Sequence, residues 1–277
     1  MNNSVANDLN PGPRAYLGVR GPLAIAHRGG NREYAENSMA AFEHAIGLGY
    51  LCIETDVHVT HDGVLVAFHD DNLRRMVGVN APIKDLNWTD VRGHCLAGGE
   101  PIPRLEDLLS AWPNALLTID PKSDGAIEPL LSILAQFDAV KRVCVGSFSH
   151  QRLVAVRERF GATATTSASP REVFSLRAAS LGIPKPYLPR FGADCLQVPI
   201  RHYGVPVVDR WFVQAAHERG LPVQVWTVNN PQEMRRLLDL GVDAIMTDDV
   251  QTLAGVFNER DLPLHGQRHT TISHSDK

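Results

Sequence analysis

The sequence predicts an α/β fold, a (β/α)8 TIM barrel with a β-hairpin excursion after strand 2. Short apolar runs rich in Val, Ile, Leu and Ala alternate with amphipathic stretches of helical length from residue 23 to residue 257. Nine such runs occur, and one pair is joined too briefly for parallel strands. Without that excursion, eight parallel strands remain in roughly 250 residues, the size of a single barrel.

The first run, residues 23–27, ends in His27-Arg28-Gly29-Gly30 and leads to a helix over 38–48, with Asn37 or Ser38 as its cap. Only residues 60–63 separate the second run, 51–57 and its extension to Val59, from a third that reaches residue 69. Asp62-Gly63 is a hairpin signal, so the third run folds back antiparallel. A two-residue turn there pairs His61 with Val64 and sets Asp56 opposite His69. The remaining runs are 116–120, 143–148, 163–167, 195–198, 223–228 and 244–247. Helical patterns over 105–111, 127–137, 150–160, 170–181, 209–219 and 231–240 lie between them. Three of these stop at a glycine, at Gly161, Gly220 and Gly241, as a C-cap requires.

The 277 residues divide into an extension (1–20), the barrel (21–257) and a polar tail (258–277) expected to lack order. Hydrophobic residues make up 44% and charged residues 21%, enough apolar content for a large core. A net charge of -4 offers no basic surface for nucleic acid, so an anion must be recognised locally. No segment approaches the roughly 20 apolar residues of a membrane span, and the first residues lack a signal-peptide core. A soluble, cytoplasmic protein without stable membrane insertion is expected. The four cysteines are widely spaced and read as buried free thiols. No Gly-rich nucleotide motif follows any strand, which removes the usual doubly wound alternative.

Ionisable residues cluster where the apolar strands stop, although core strands normally exclude them. In Glu54-Thr55-Asp56 the period of two puts both carboxylates on one face, with Cα atoms about 6.6 Å apart. Two acids so close repel unless a cation joins them, and oxygen ligands suit Mg2+ or Ca2+. The expected hairpin register adds the His69 imidazole, and His27 with Arg28 brings a second imidazole and a phosphate-matching guanidinium. Asp120-Pro121-Lys122 repeats the pairing of an acid for the metal with a cation for an anion. Trp226 ends a late strand, either as an apolar wall for a substrate or as core packing. Asn37 is expected to shape its loop, Asp71 to solvate one, and His58, His61, His150, His202 and His217 to be surface or structural residues.

Two histidines, a carboxylate-bound cation, an Arg and a Lys on one rim suit phosphodiester cleavage, which needs charge stabilisation and two proton transfers. The motifs His27-Arg28-Gly29, Glu36-Asn37-Ser38, Glu54-Thr55-Asp56, Asp62-Gly63, His69-Asp70, Asp120-x-Lys122, Trp226-Thr227-Val228-Asn229 and Thr247-Asp248 together resemble the glycerophosphodiester phosphodiesterases, over about residues 24–250. The resemblance implies a barrel enzyme that hydrolyses small glycerophosphodiesters to glycerol 3-phosphate and an alcohol, with one divalent cation, Mg2+ or Ca2+. It implies His27 and His69 as the acid/base pair, and Glu54, Asp56 and Asp120 as metal ligands. Arg28 and Lys122 would be phosphate contacts, beside Trp226. Asp120 departs from the Glu usual at that position, and its shorter arm bears on direct ligation. Ala35 and Ser38 replace the usual Pro and Thr. Two competing readings are an enzyme that cleaves phospholipids or lysophospholipids and a non-catalytic phosphate-binding barrel. The first wants an apolar or basic contact loop, which the sequence does not announce.

Overall fold

The computed structural model describes residues 15–182, 192–265 and 267–268. Its strands are β1 (Leu23–Ala26), β2 (Cys52–Val59), β3 (Leu65–Ala67), β4 (Leu116–Pro121), β5 (Val143–Val145), β6 (Thr165–Thr166), β7 (Leu196–Pro199), β8 (Val223–Trp226) and β9 (Ala244–Thr247). Eight are parallel, in the order β6-β5-β4-β2-β1-β9-β8-β7, and β3 pairs antiparallel with β2. A parallel bridge from Ser167 to Cys195 joins the two ends of that order. The amide of Ala168 donates to Cys195 O at 2.9 Å and that of Asp194 to Thr166 O at 2.9 Å. The sheet therefore closes on itself as a barrel, as the sequence predicts.

Side chains alternate strictly along the strands. Ala24 and Ala26, Ile53 and Val57, Leu117 and Ile119, Val143 and Val145, and Val223 and Val225 pack outward against the helices in two large clusters. Leu23, Ile25, Cys52, Leu116, Cys144, Cys195, Ala244 and Met246 form a separate cluster inside the barrel, with Tyr16. The same parity carries inward the residues that end these strands.

The helices are α1 (Met39–Gly47), α2 (Arg74–Val77), α3 (Trp88–Val91), α4 (Leu105–Ala111), α5 (Ile127–Gln136), α6 (His150–Phe160), α7 (Pro170–Ser180), α8 (Arg210–His217), α9 (Pro231–Asp239) and α10 (Val250–Asn258). Ser38 caps α1 by accepting from Ala41 N at 3.1 Å. α2 and α3 belong to the excursion between β3 and α4, which has its own small core of Val66, Phe68, Leu73, Ile83, Val91, Leu96 and Ile102.

The hairpin register differs from the expected one. Val57 faces Ala67 and Val59 faces Leu65, and the Phe68 amide donates to Asp56 O at 3.0 Å. Phe68, not His69, therefore opposes Asp56. The cause is the turn, where Thr60 Oγ1 accepts from Val64 N at 2.9 Å and donates to Asp62 Oδ1 at 2.6 Å, closing a longer loop than two residues.

At the bottom of the barrel Tyr16, only 3% exposed, hydrogen-bonds Thr118 Oγ1 at 2.7 Å and donates to Gln224 Oε1 at 3.1 Å. Part of the expected extension thus plugs the barrel. At the other terminus Leu262 and Leu264 pack on the core, and Val19–Arg20 pairs with Gln267–Arg268. The expected tail is thus in place to residue 265 and again at 267–268, and its residues 269–277 lie outside the described residues. Cys52, Cys144 and Cys195 are buried free thiols and Cys95 is an exposed one. No helix among the described residues is long and apolar enough to cross a membrane.

Candidate functional site

The inward-facing ends of β1, β2, β4 and β9 meet at the C-terminal mouth of the barrel. Glu54 and Asp56 are 5% and 1% exposed. Asp120 stands beside Asp56 in the parallel register. Lys122 Nζ bridges the last two, 2.7 Å from Asp56 Oδ1 and 2.7 Å from Asp120 Oδ2. Burial and the Asp56 charge push the Glu54 carboxyl up to about 7. Burial likewise raises Asp120, against the pull of Lys122. Asp56 goes the other way, because the Lys122 and Arg28 charges outweigh its burial.

His27 and Arg28 follow β1 on a tight turn. Arg28 sits at φ 55°, in left-handed space. Its backbone N–H donates to Glu54 Oε2 at 3.0 Å. Its Nε lies 2.9 Å from Asp56 Oδ2 as an ion pair without hydrogen-bond alignment, and its Nη1 donates to Glu36 Oε1 at 3.0 Å. Gly29 is required here: a Cβ would stand 2.8 to 2.9 Å from Phe42 and Ala41. Asn37, also left-handed at φ 57°, accepts from Thr55 Oγ1 at 2.8 Å and donates to Asp56 Oδ2 at 3.4 Å. It thus touches the acid cluster as well as shaping its loop.

Each imidazole has its own carboxylate. His27 Nδ1 is 2.6 Å from Asp248 Oδ1, and Asn229 Nδ2 donates to Asp248 Oδ2 at 2.9 Å. Burial works against a charged His27 ring, but the Glu54 charge and the Asp248 hydrogen bond raise its pKa. His69 Nδ1 is 2.8 Å from Asp70 Oδ1. Arg75 Nε donates to Asp70 Oδ2 at 2.7 Å, and its Nη2 reaches Glu36. A cavity of about 650 Å3 opens beside His69, lined in part by His58, Asp70, Asn72, Arg75 and Asn80. With Nδ1 of each ring facing a carboxylate, Nε2 is the nitrogen left for proton exchange. His69 reaches this region despite the shifted register because the chain leaves strand geometry after Ala67.

The expected residues His27, Arg28, Glu54, Asp56, Asp120 and Lys122 are therefore brought into one network. Trp226 stands apart from it, partly buried, with the Phe148 ring edge-on at 5.9 Å across the mouth. Sequence reasoning did not assign roles to Asp248, Asn229, Glu36, Arg75 or Phe148. Parity from Met246 could have found Asp248, whereas Arg75 carries no local signal.

The network also bears on a divalent cation. Its six carboxylates, Glu36, Glu54, Asp56, Asp70, Asp120 and Asp248, face three permanent cations, Arg28, Arg75 and Lys122, which leaves excess negative charge when all six are ionised. Carboxylate oxygens are the donors that Mg2+ and Ca2+ prefer. Among the described residues no three His, Cys, Asp or Glu side chains are set as a finished ligand group, since Lys122 lies between Asp56 and Asp120. The residues fit a hard cation in donor chemistry and charge.

Residues 27–252 match the Glycerophosphoryl diester phosphodiesterase family. The chain belongs to this family. A probable glycerophosphodiester phosphodiesterase 2 of Mycobacterium tuberculosis is 40% identical over 252 residues, covering 88% of this chain and 94% of that protein. The glycerophosphodiester phosphodiesterase of Caldanaerobacter subterraneus is 30% identical, over 83% and 96% of the two chains. A human lysophospholipase D is 27% identical, over 81% and 82%. A crystal structure described as a putative glycerophosphoryl diester phosphodiesterase of Silicibacter pomeroyi superposes with a TM-score of 0.74 over 88% of this chain and 97% of its own, at 22% identity, and so speaks to the fold. As a glycerophosphodiester phosphodiesterase, the chain is a phosphoric diester hydrolase, and its family processes small-molecule substrates.

Proposed function

We propose that this enzyme hydrolyses glycerophosphodiesters to glycerol 3-phosphate and an alcohol, with His27 and His69 as the proton-transfer pair and one divalent cation, Mg2+ or Ca2+, held by Glu54, Asp56 and Asp120. The supporting observation is the pair of imidazoles, each backed by its own aspartate, with His27 beside the buried Glu54 and His69 joined to the same ion-pair network through Asp70, Arg75 and Glu36. When bound, the cation supplies positive charge against the phosphoryl oxygens. Arg28 and Lys122 orient the phosphate, and the carboxylates that now hold them keep both side chains in the mouth. Asp248 and Asp70 fix the ring orientations, so that Nε2 of one histidine takes a proton from the nucleophile and Nε2 of the other gives one to the leaving oxygen. Trp226 and Phe148 wall the side away from the charges, where the substrate's carbon skeleton lies.

The test is an enzyme-coupled assay for glycerol 3-phosphate from glycerophosphocholine and glycerophosphoethanolamine, with EDTA and with Mg2+ or Ca2+ restored. His27→Ala and His69→Ala should each lower turnover by about 10²- to 10⁴-fold. Release that persists in EDTA would sink the cation, and full activity in either variant would sink the histidine pair. A second reading, cleavage of lysophospholipids, is supported by the name of the human relative. Turnover of lysophosphatidylcholine well above that of glycerophosphocholine would favour it.

A further inference from the structure

Exposed apolar side chains are concentrated around the barrel mouth. Among the described residues nine large ones are exposed, and five of them, Tyr34, Phe148, Tyr203, Val205 and Trp211, lie in connections that leave the C-terminal ends of β1, β5 and β7 or in the first turn of α8. The β7–α8 connection holds two, Tyr203 and Val205, and the first turn of α8 a third, Trp211. The connection's Arg201–His202 and Val205–Pro206 pairs form a small antiparallel hairpin, exposed on all four residues and pinned at its base by the Val207 amide, which donates to Ile200 O at 2.9 Å.

At the tip Tyr203 is 95% exposed, with its ring against that of His202 at 4.5 Å. Val205 is 64% exposed and Trp211 52%. The guanidinium of Arg210 lies over the Trp211 ring at 4.4 Å. The single acid of this connection, Asp209, is held by Arg177 at 2.8 Å and caps α8 through Phe212 N. Arg201 and Arg210 therefore give the segment a positive balance on a chain whose net charge is -4.

Aromatic rings with polar edges, an aliphatic side chain between them and arginines beside them are the composition that lies in a lipid headgroup layer, where positive charge meets anionic phosphates. A tip of three apolar side chains offers little area for a stable protein interface, which takes roughly 800 Å2 per partner. Shallow insertion among lipid headgroups needs no matching surface. We propose that the barrel mouth docks on an anionic lipid surface through the exposed Tyr203, Val205 and Trp211, flanked by Arg201 and Arg210. The site then opens towards the lipid. The hairpin is the contact loop that the sequence did not announce, and the docking stands independently of the residues assigned to catalysis.

The test is co-flotation of the full chain with unilamellar vesicles of mixed phosphatidylglycerol and phosphatidylcholine, beside vesicles of phosphatidylcholine alone. The comparison is with the triple variant Tyr203→Ser, Val205→Ser, Trp211→Ser, whose turnover of soluble glycerophosphocholine serves as a check on folding. The wild type should float with the anionic vesicles at least about tenfold more than the triple variant, and about 0.5 M NaCl should release it. Equal flotation of the two proteins, or none with either vesicle, would overturn the proposal. Wild-type binding that ignores lipid charge would overturn it as well. Concentration-dependent dimers that the triple variant abolishes, with no vesicle binding, would assign the rim to a second copy of the chain instead.

Discussion

Arg28 and Asn37 hold left-handed backbone at φ 55° and 57°, where side chains other than glycine are uncommon. Both are held there by the acids and hydroxyls of β2, so the strain and the site share the same contacts. Gly29, between them, has no alternative. Gly29→Ala meets both a φ of 80° and the Phe42 and Ala41 atoms, and should cost about 2 to 3 kcal/mol in urea unfolding. A loss under about 0.5 kcal/mol would show that the turn relaxes freely. Asp248 backs His27, its Oδ1 2.6 Å from the ring Nδ1. Asp248→Asn keeps the shape and removes the charge, so kcat should fall by about 10- to 100-fold while KM changes little. A rise in KM with kcat unchanged would place Asp248 in substrate binding instead. These residues were unevenly legible. His27, Glu54, Asp56 and Asp120 stand out because charged groups end apolar strands, while Arg75 lies in the four-residue α2 and Phe148 in a loop, and no local pattern sets the place of either.

The β/α units are tied down by local polar clusters as well as by their apolar faces. In the first turn of α7, Glu172 is 2% exposed and accepts from Ser169 N and Ser169 Oγ at 2.8 and 2.7 Å, with Arg157 Nη1 at 3.1 Å. Burial alone would raise its pKa, but these donors and the Arg157 charge hold it below the usual value. A carboxyl depressed in the folded state stabilises fully above its unfolded pKa of about 4.3, and the contribution is lost as pH falls through the folded value. Urea midpoints followed from neutral pH downward should therefore drop less steeply for Glu172→Gln than for the wild type, and identical acid limbs would refute the assignment. Arg157→Ala strands the buried carboxylate and should cost about 3 kcal/mol at neutral pH, read from the same urea curves. The helices with strong periodicity were legible as elements. The short α2 and α3 were not, because four-residue helices carry too little periodicity, and the sequence was not assigned a helix at 250–258, where α10 stands. The hairpin register was missed by one residue because Thr60 takes part in the turn through its side chain.

Ring closure is a property of the whole molecule, and Tyr16 is part of it. Its ring fills the bottom of the barrel, and its hydroxyl meets Thr118 of β4 and Gln224 of β8, residues 106 positions apart by number. Tyr16→Ala empties that place and should lower stability by about 3 to 5 kcal/mol in urea unfolding, with Tyr16→Phe costing about 1 kcal/mol. Equal costs for the two would mean that the hydroxyl alone matters. By itself the sequence determined eight parallel strands with helices between most of them, and with the strands which side chains point into the barrel, because the period of two is a local property of an extended chain. Only the tertiary structure decided who meets whom. β9 lies beside β1, so Asp248 backs His27 from 221 residues away, and the excursion folds back so that Arg75 ties Asp70 to Glu36. Those partnerships depend on ring closure and loop path, which set distances between segments remote in the chain and leave no trace in the periodicity of either one.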